Sequence, residues 1–275
     1  MKQNVQFPFQ NRTAAEDGAV EEDARSLRVL MVLSSLARAQ HPQTLSQLSQ
    51  RLHVPKATLM RLLGAMERSG FVVRMPAERG YVPGPGAAAL SLQTLRSPPL
   101  LRECRAILAR LVASLGETCN LTALDGDRVL YVERVETQEL LRLQLSPGIH
   151  VPLHCTASGK LFLSAMNRLE RQQMLMRLDL IRHTPRTFCD MPLLEAELDR
   201  LGARGIGVDH EEFVRGMCAV AVPVRDPDSA NPRGGRVVAA IAYHAPTARV
   251  QLEVLLQAVP TMQDAAREMA RVLCG

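Results

Sequence analysis

The stretch PLHCTASGK, residues 152–160, concentrates side chains that can do chemistry. His154, Cys155, Thr156, Ser158 and Gly159 fall at or near the mouth of an expected helix, whose free N–H groups favour an anion. Three chemistries follow from these types. The donors can receive an acidic ligand. A thiol at a helix N-terminus can have its pKa lowered and act as a redox switch. Cysteine and histidine can also serve as nucleophile and base of a hydrolase. Chain neighbours such as His154 and Cys155 project differently, and no orienting carboxylate is evident, which disfavours the hydrolase. Pairings of Cys218 with His210 or His244 stay open at this point. The plainer alternative is a capped helix whose histidine is satisfied by backbone.

A second stretch, VPKATLMRLLGAMERSGFVVR, residues 54–74, raises a different chemistry. Leu59, Leu62, Leu63 and Met66 fall at i, i+3, i+4 and i+7, one apolar helix face. The far side carries Ala57, Arg61, Gly64 and Arg68, with Thr58 at its edge. Small residues beside arginines allow close approach of a negatively charged partner. An arginine there can pair bidentately with guanine or clamp a phosphate, and Lys56 and Thr58 near the helix start suit phosphates. Arg74 and Arg79 flank a short hairpin and can reach a neighbouring groove. The alternative is an ordinary solvated helix.

Charge distribution favours the sharper reading. Residues 24–83 hold nine basic residues against two acidic, whereas residues 98–275 hold 21 of each. Only the small basic part is expected to meet a polyanion. The chain has 275 residues, 47% hydrophobic and 22% charged, ordinary for a globular protein with room for two domains. No apolar run approaches the ~20 residues needed to span a bilayer, and residues 1–23 lack the apolar segment of a secretory signal. They read as a flexible polar tail, and a cytoplasmic location without membrane partners is expected. Six scattered cysteines with no C-x2-C or C-x4-C pair argue against a structural zinc site and a disulfide framework. GPGAAA (84–89) lacks a βαβ context, and SGK (158–160) lacks the leading glycine of a phosphate loop, so neither reads as a nucleotide site.

These residues need elements to position them. Residues 24–39 read as a helix apolar on two sides, Leu27, Leu30 and Met31 on one, Val29, Val32, Leu33 and Leu36 on the other, which asks for two partners. Thr44 can cap a second helix carrying Leu45, Leu48 and Leu52. A turn at His53–Pro55 leads to a third helix ended by Gly70, and FVVRMPAERGYV reads as a hairpin. Three helices and a hairpin over 24–84 make a winged helix-turn-helix. Residues 85–97 are expected to form a linker helix. From 98 to 275 a helix is followed by strand-like runs, TCNLTAL, RVLYVERV and LLRLQL. Three helices then precede the strands IGVDHEE, MCAVAVPV and GRVVAAIAYH and a terminal helix over about 247–273. Grouped strands with flanking helices predict an α+β domain.

In that order and spacing, the stretches VPKATLMRLLGAMERSGFVVR, ERGYVPGP, LTALDGDRVLYVERVE, GIHVPLHCTASGKLFLSA, LDRLGARGIGVDHEEFVRGMCAVAVPVRD and GRVVAAIAYHAP resemble the IclR-type transcriptional regulators over essentially all of 24–273. The resemblance implies a two-domain α+β chain, an N-terminal winged helix-turn-helix, a linker helix, and a GAF/profilin-like α/β effector-binding domain with a mainly antiparallel sheet. It implies a homodimer or homotetramer on double-stranded promoter DNA, a small organic or aromatic acid as effector, and no enzyme activity, cofactor or metal. The expected DNA contacts are Arg25, Thr44, Lys56, Ala57, Thr58, Arg61, Arg68, Arg74 and Arg79.

For the effector, the anionic group is expected near Thr156, Ser158 and Gly159, with His154 and Cys155 at the mouth. Leu121, Leu143 and Val220 are expected as apolar walls on neighbouring strands. The resemblance carries over Asp209 and Cys218 as pocket-lining positions, and Asp209 is expected to accept a ligand hydroxyl or a backbone N–H. Three departures stand out. Ala57 occupies a position where the family commonly has Ser, and DPDSANPRGG is longer than the usual hairpin connection. Ala242 and His244 stand where small hydroxyls are usual. His244 is expected to add a donor, and a charge if protonated near neutral pH.

Overall fold

A computed structural model of the chain describes residues 17–39, 41–76, 79–95, 97–227 and 235–274, with side chains from residue 27 onward. The chain divides into two compact units, residues 1–90 and 91–275.

The first unit opens with α1 (Asp17–Arg38). This helix begins at Asp17, not at Ala24, and so takes in part of the stretch read as a flexible tail; residues 1–16 lie outside the described residues. Then come α2 (Leu45–Leu52) and α3 (Lys56–Arg68), followed by the hairpin β1 (Val72–Met75) and β2 (Gly80–Pro83). Thr44 and Gln47 close a reciprocal capping box on α2. His53, at φ 53°, makes the tight turn into α3, and Gly70, at φ 75°, follows the end of α3 in the left-handed region that suits glycine. Val32, Leu36, Leu48, Leu59, Leu63, Met66 and Val72 form the core. One side of α1 is thus buried, whereas Leu27, Val29, Leu30 and Met31 are exposed, Leu30 to 57%.

The linker helix α4 (Pro85–Leu95) contains the point where the two units part. The second unit runs α5 (Pro98–Leu115), β3 (Thr118–Asp125), β4 (Arg128–Val135), β5 (His150–Pro152), α6 (Ala157–Ala165), α7 (Arg168–Leu175), α8 (Met191–Arg204), β6 (Gly207–His210), β7 (Met217–Asp226), β8 (Arg236–Pro246), α9 (Leu252–Gln257) and α10 (Val259–Cys274). Its six strands are ordered β5-β4-β3-β8-β7-β6, every neighbouring pair antiparallel. One face packs α5 and α10 through Leu108, Leu121, Val220, Ile241 and Met262. The other packs α6 and α8 through Tyr131, Leu153, Leu161, Leu198 and Ala240. Successive strand residues point to opposite faces, so Leu121 joins the first core while Asn120 and Thr122 turn toward α6.

Two expectations fail here for identifiable reasons. LLRLQL, residues 140–145, forms no strand, and β5 takes the sheet edge beside β4. Guanidinium groups occupy carbonyls that a strand ladder would need: Arg249 bonds Leu141 O at 3.0 Å, and Arg134 bonds Leu143 O. The terminal helix is split into α9 and α10, because Pro260 has no N–H to carry the helical ladder onward and suits a helix start. The long 226–235 connection falls largely on residues 228–234, which lie outside the described residues. Among the described residues, no helix is long and apolar enough to cross a membrane.

Candidate functional site

On the first unit, α3 buries Leu59, Leu63 and Met66 and presents Lys56, Ala57, Arg61 and Arg68 outward. Thr58 and Gly64 are half-buried. Arg74 and Arg79 are exposed on the hairpin, Arg79 at φ 51° in its turn. Glu67 is the sole carboxylate among the side chains described in this unit, so the exposed face is cationic. Thr44 uses its hydroxyl to cap α2, accepting from Gln47 N at 3.3 Å. The side chain of Arg25 lies outside the described residues.

The second unit holds a cavity of about 460 Å³, counting the space at its mouth. Of the expected site residues, Leu143, Thr156, Ser158, Asp209, Cys218, Ala242 and His244 line it. Leu143 does so from a loop. Leu121 and Val220 do not: both point into the opposite core against α5 and α10. Gly159 is also absent from the lining, since its backbone is pressed against the Leu153 carbonyl, leaving no room for a Cβ. His154 and Cys155 are buried away from the cavity; His154 Nε2 donates to Ile181 O at 3.0 Å. Burial pushes the Cys155 thiol above its ordinary pKa, the reverse of an activated nucleophile or redox thiol.

Asn120, Tyr131 and Phe213 line the cavity without having been foreseen. Behind them sits Arg134, whose side chain is only 2% exposed. Its Nε pairs with Glu136 at 3.0 Å, and its Nη1 bonds Asn120 Oδ1 at 2.9 Å and meets His244 Nε2 at 3.2 Å. A guanidinium only donates, so His244 Nε2 is the acceptor and the ring proton sits on Nδ1. Burial, with Arg134 adding to it, brings His244 down to about 3, so the imidazole is neutral and supplies no charge at pH 7. Asn120 Nδ2 and His244 Nδ1 are both buried without a hydrogen-bond partner. Two donor groups are therefore left unsatisfied in the lining of one cavity, a costly arrangement unless an acceptor arrives.

The helix start adds to this. Thr156 Oγ1 accepts from Gly159 N at 3.2 Å and Lys160 N bonds Thr156 O, while the earlier N–H groups of Ala157 and Ser158 have no place in the helical ladder. Ser158 Oγ accepts from Thr122 Oγ1 at 2.9 Å. Asp209 Oδ1 accepts from Glu212 N at 2.7 Å, and burial raises its pKa to about 8, so it is largely neutral at pH 7. Lys160, fully buried, fastens α6 in place through Glu212 at 2.5 Å and Glu197 at 3.5 Å. Arg134 and Lys160 gave no sequence signal beyond a charge within apolar runs; only a charge at a core position of the strand or helix pattern could have marked them.

A basic helix-turn-helix surface on one unit and a donor-lined cavity on the other define a DNA-binding regulator with an effector-binding domain. Comparison with known proteins gives the family. The IclR helix-turn-helix domain matches residues 27–76, and the bacterial transcriptional regulator IclR C-terminal domain matches residues 92–271. The probable transcriptional regulator SauR of Cupriavidus necator is 39% identical over 252 residues, covering 92% of this chain and 98% of that protein. The Pca regulon regulatory protein of Pseudomonas putida is 30% identical, covering 90% and 83%. A solved structure of the inducer-binding domain of a PobR double mutant from Acinetobacter, in complex with 3-hydroxybenzoic acid, aligns with a TM-score of 0.55 and 27% identity over 62% of this chain and 97% of that one. The chain belongs to the IclR family of transcriptional regulators.

Proposed function

We propose that the cavity of the second unit takes a small organic acid, aromatic for preference, and that its binding changes the affinity of the α3 face for promoter DNA. The observation that carries this reading is the pair of buried, unsatisfied donors, Asn120 Nδ2 and His244 Nδ1. A carboxylate supplies the acceptors they lack, and the α6 start favours the same charge. Neutral Asp209 does not repel it and can bond a ligand hydroxyl. Tyr131 and Phe213 offer flat walls to a ring. The 3-hydroxybenzoic acid complex of the PobR domain is compatible with this class.

DNA is read by the major-groove approach of α3, with Arg61 as the base-reading candidate, Lys56 and Thr58 on phosphates, and Arg74 and Arg79 beside them. The exposed Leu27, Leu30 and Met31 of α1 pair two heads, so the protein acts as a dimer or tetramer on an inverted repeat. A regulator that meets promoter DNA works in the cytoplasm and needs no catalysis. The test is a thermal-shift screen of carboxylic acids against their amides, on wild type and Asn120→Asp. Asp keeps the oxygen that Arg134 bonds but replaces the cavity-facing donor with a second acceptor. Acids should stabilise wild type and not the variant; equal stabilisation by amides would sink the reading.

A further inference from the structure

His154, Cys155 and His183 bring one ligand atom each to within 4.8 Å of one another. Among the described residues they are the single cluster of this kind, and none of them lines the cavity. His154 and Cys155 lie between β5 and the cap of α6, which fixes their backbone. His183 arrives from the segment joining α7 to α8. There its N–H bonds Thr187 Oγ1 at 3.1 Å, Thr184 Oγ1 donates to Glu211 O at 2.6 Å, and its ring meets Phe213 edge-on at 5.4 Å. The carbonyl of Ile181 can only accept, so His154 Nε2 carries the ring proton and Nδ1 keeps its lone pair. Proteins orient metal-binding imidazoles by such an outer hydrogen bond to a carbonyl.

We propose that His154, Cys155 and His183 form a binding site for a thiophilic ion of the zinc class, tying the segment around His183 to the start of α6. Two imidazoles and a thiolate suit a borderline-soft ion and not calcium or magnesium, which take oxygen ligands. Three protein ligands leave the fourth tetrahedral position for water. On binding, the Cys155 thiol gives its proton to solvent, the ion sheds the waters these ligands replace, and nothing is oxidised or reduced. His183 is exposed, which gives the ion a route to the two buried ligands. The absence of a C-x2-C pair is no obstacle, because the third ligand comes from a distant segment.

The experiment is a titration of the reduced full-length protein with Co²⁺, followed by Zn²⁺. Wild type should take one Co²⁺ per chain, show a sulfur-to-cobalt charge-transfer band with four-coordinate ligand-field absorption, and lose both on adding Zn²⁺. Cys155→Ser should lose the charge-transfer band. His183→Ala changes an exposed side chain, so it should keep the wild-type circular dichroism and lose stoichiometric binding. Absence of the band in wild type, or its retention in either variant, overturns the site.

Discussion

Arg61 and Arg134 carry the same guanidinium into opposite settings. Arg61 stands exposed on α3, in a unit whose described side chains include a single carboxylate. Arg134 is enclosed in the second unit, bonded to Glu136, Asn120, His244 and the Leu143 carbonyl. An exposed cation acts at range on a polyanion and is screened by salt. A buried one acts on its immediate neighbours. By occupying Asn120 Oδ1 and His244 Nε2, Arg134 leaves the donor ends of both residues without partners in the cavity lining. The contrast teaches that a guanidinium left exposed lies open to a polyanion, whereas a buried one orders the neutral donors of the proposed acid site.

Replacing Arg134 with Met should break this contrast most severely. Removing it leaves Asn120 Oδ1 and His244 Nε2 buried without their donor, at about 1–3 kcal/mol for each, while half-exposed Glu136 keeps its pair with Arg142. Denaturant unfolding of the variant measures it; a change near zero would mean that Arg134 organises nothing.

The pH profile sharpens the second half of the comparison. Asp209 is raised from its ordinary 3.8 to about 8, so across that window the folded chain binds more protons than the unfolded one. The stability this group contributes is therefore present at low pH and lost as pH rises through about 8. Asp209→Asn should flatten that decline in denaturation midpoints; an unchanged slope would show Asp209 to be ionised.

On the DNA side, Arg61→Ala should cost roughly 1–3 kcal/mol on a specific site if Arg61 reads a base. Lys56→Ala should weaken all sequences alike and reduce the salt slope by about 1. Fluorescence anisotropy across salt concentrations separates the two, and wild-type binding indifferent to salt would end the electrostatic account. A smaller effect on each chain's own stability is expected from Leu30→Asp, since surface changes usually stay within about 0.5 kcal/mol. Its oligomer, read by light scattering, should nevertheless dissociate; an oligomer that persists would move the pairing surface away from α1.

The α3 face was legible because one helical period sorts its residues without any tertiary information, and Thr44 marked the α2 start as a cap residue. The cavity was less legible. In a strand of period two, Leu121 and Asn120 are equally eligible until the sheet's two faces are known, and the expectation takes Leu121 where Asn120 lines the cavity. Nothing in the sequence separates Arg134 from a solvated strand charge. LLRLQL has the composition of a strand, yet arginines from β4 and from beyond β8 hold its Leu143 and Leu141 carbonyls. His183 lies far from His154 in sequence, so no spacing could join them.

The most direct measurement of the account is anisotropy of a labelled fragment from the gene's own upstream region, with and without a stabilising aromatic acid. Wild type should change its DNA affinity by roughly 5–150-fold on adding the acid, whereas Asn120→Asp should bind the fragment with the same salt slope and ignore the acid. An acid shown by calorimetry to bind the wild type, with no change in DNA affinity, would contradict it.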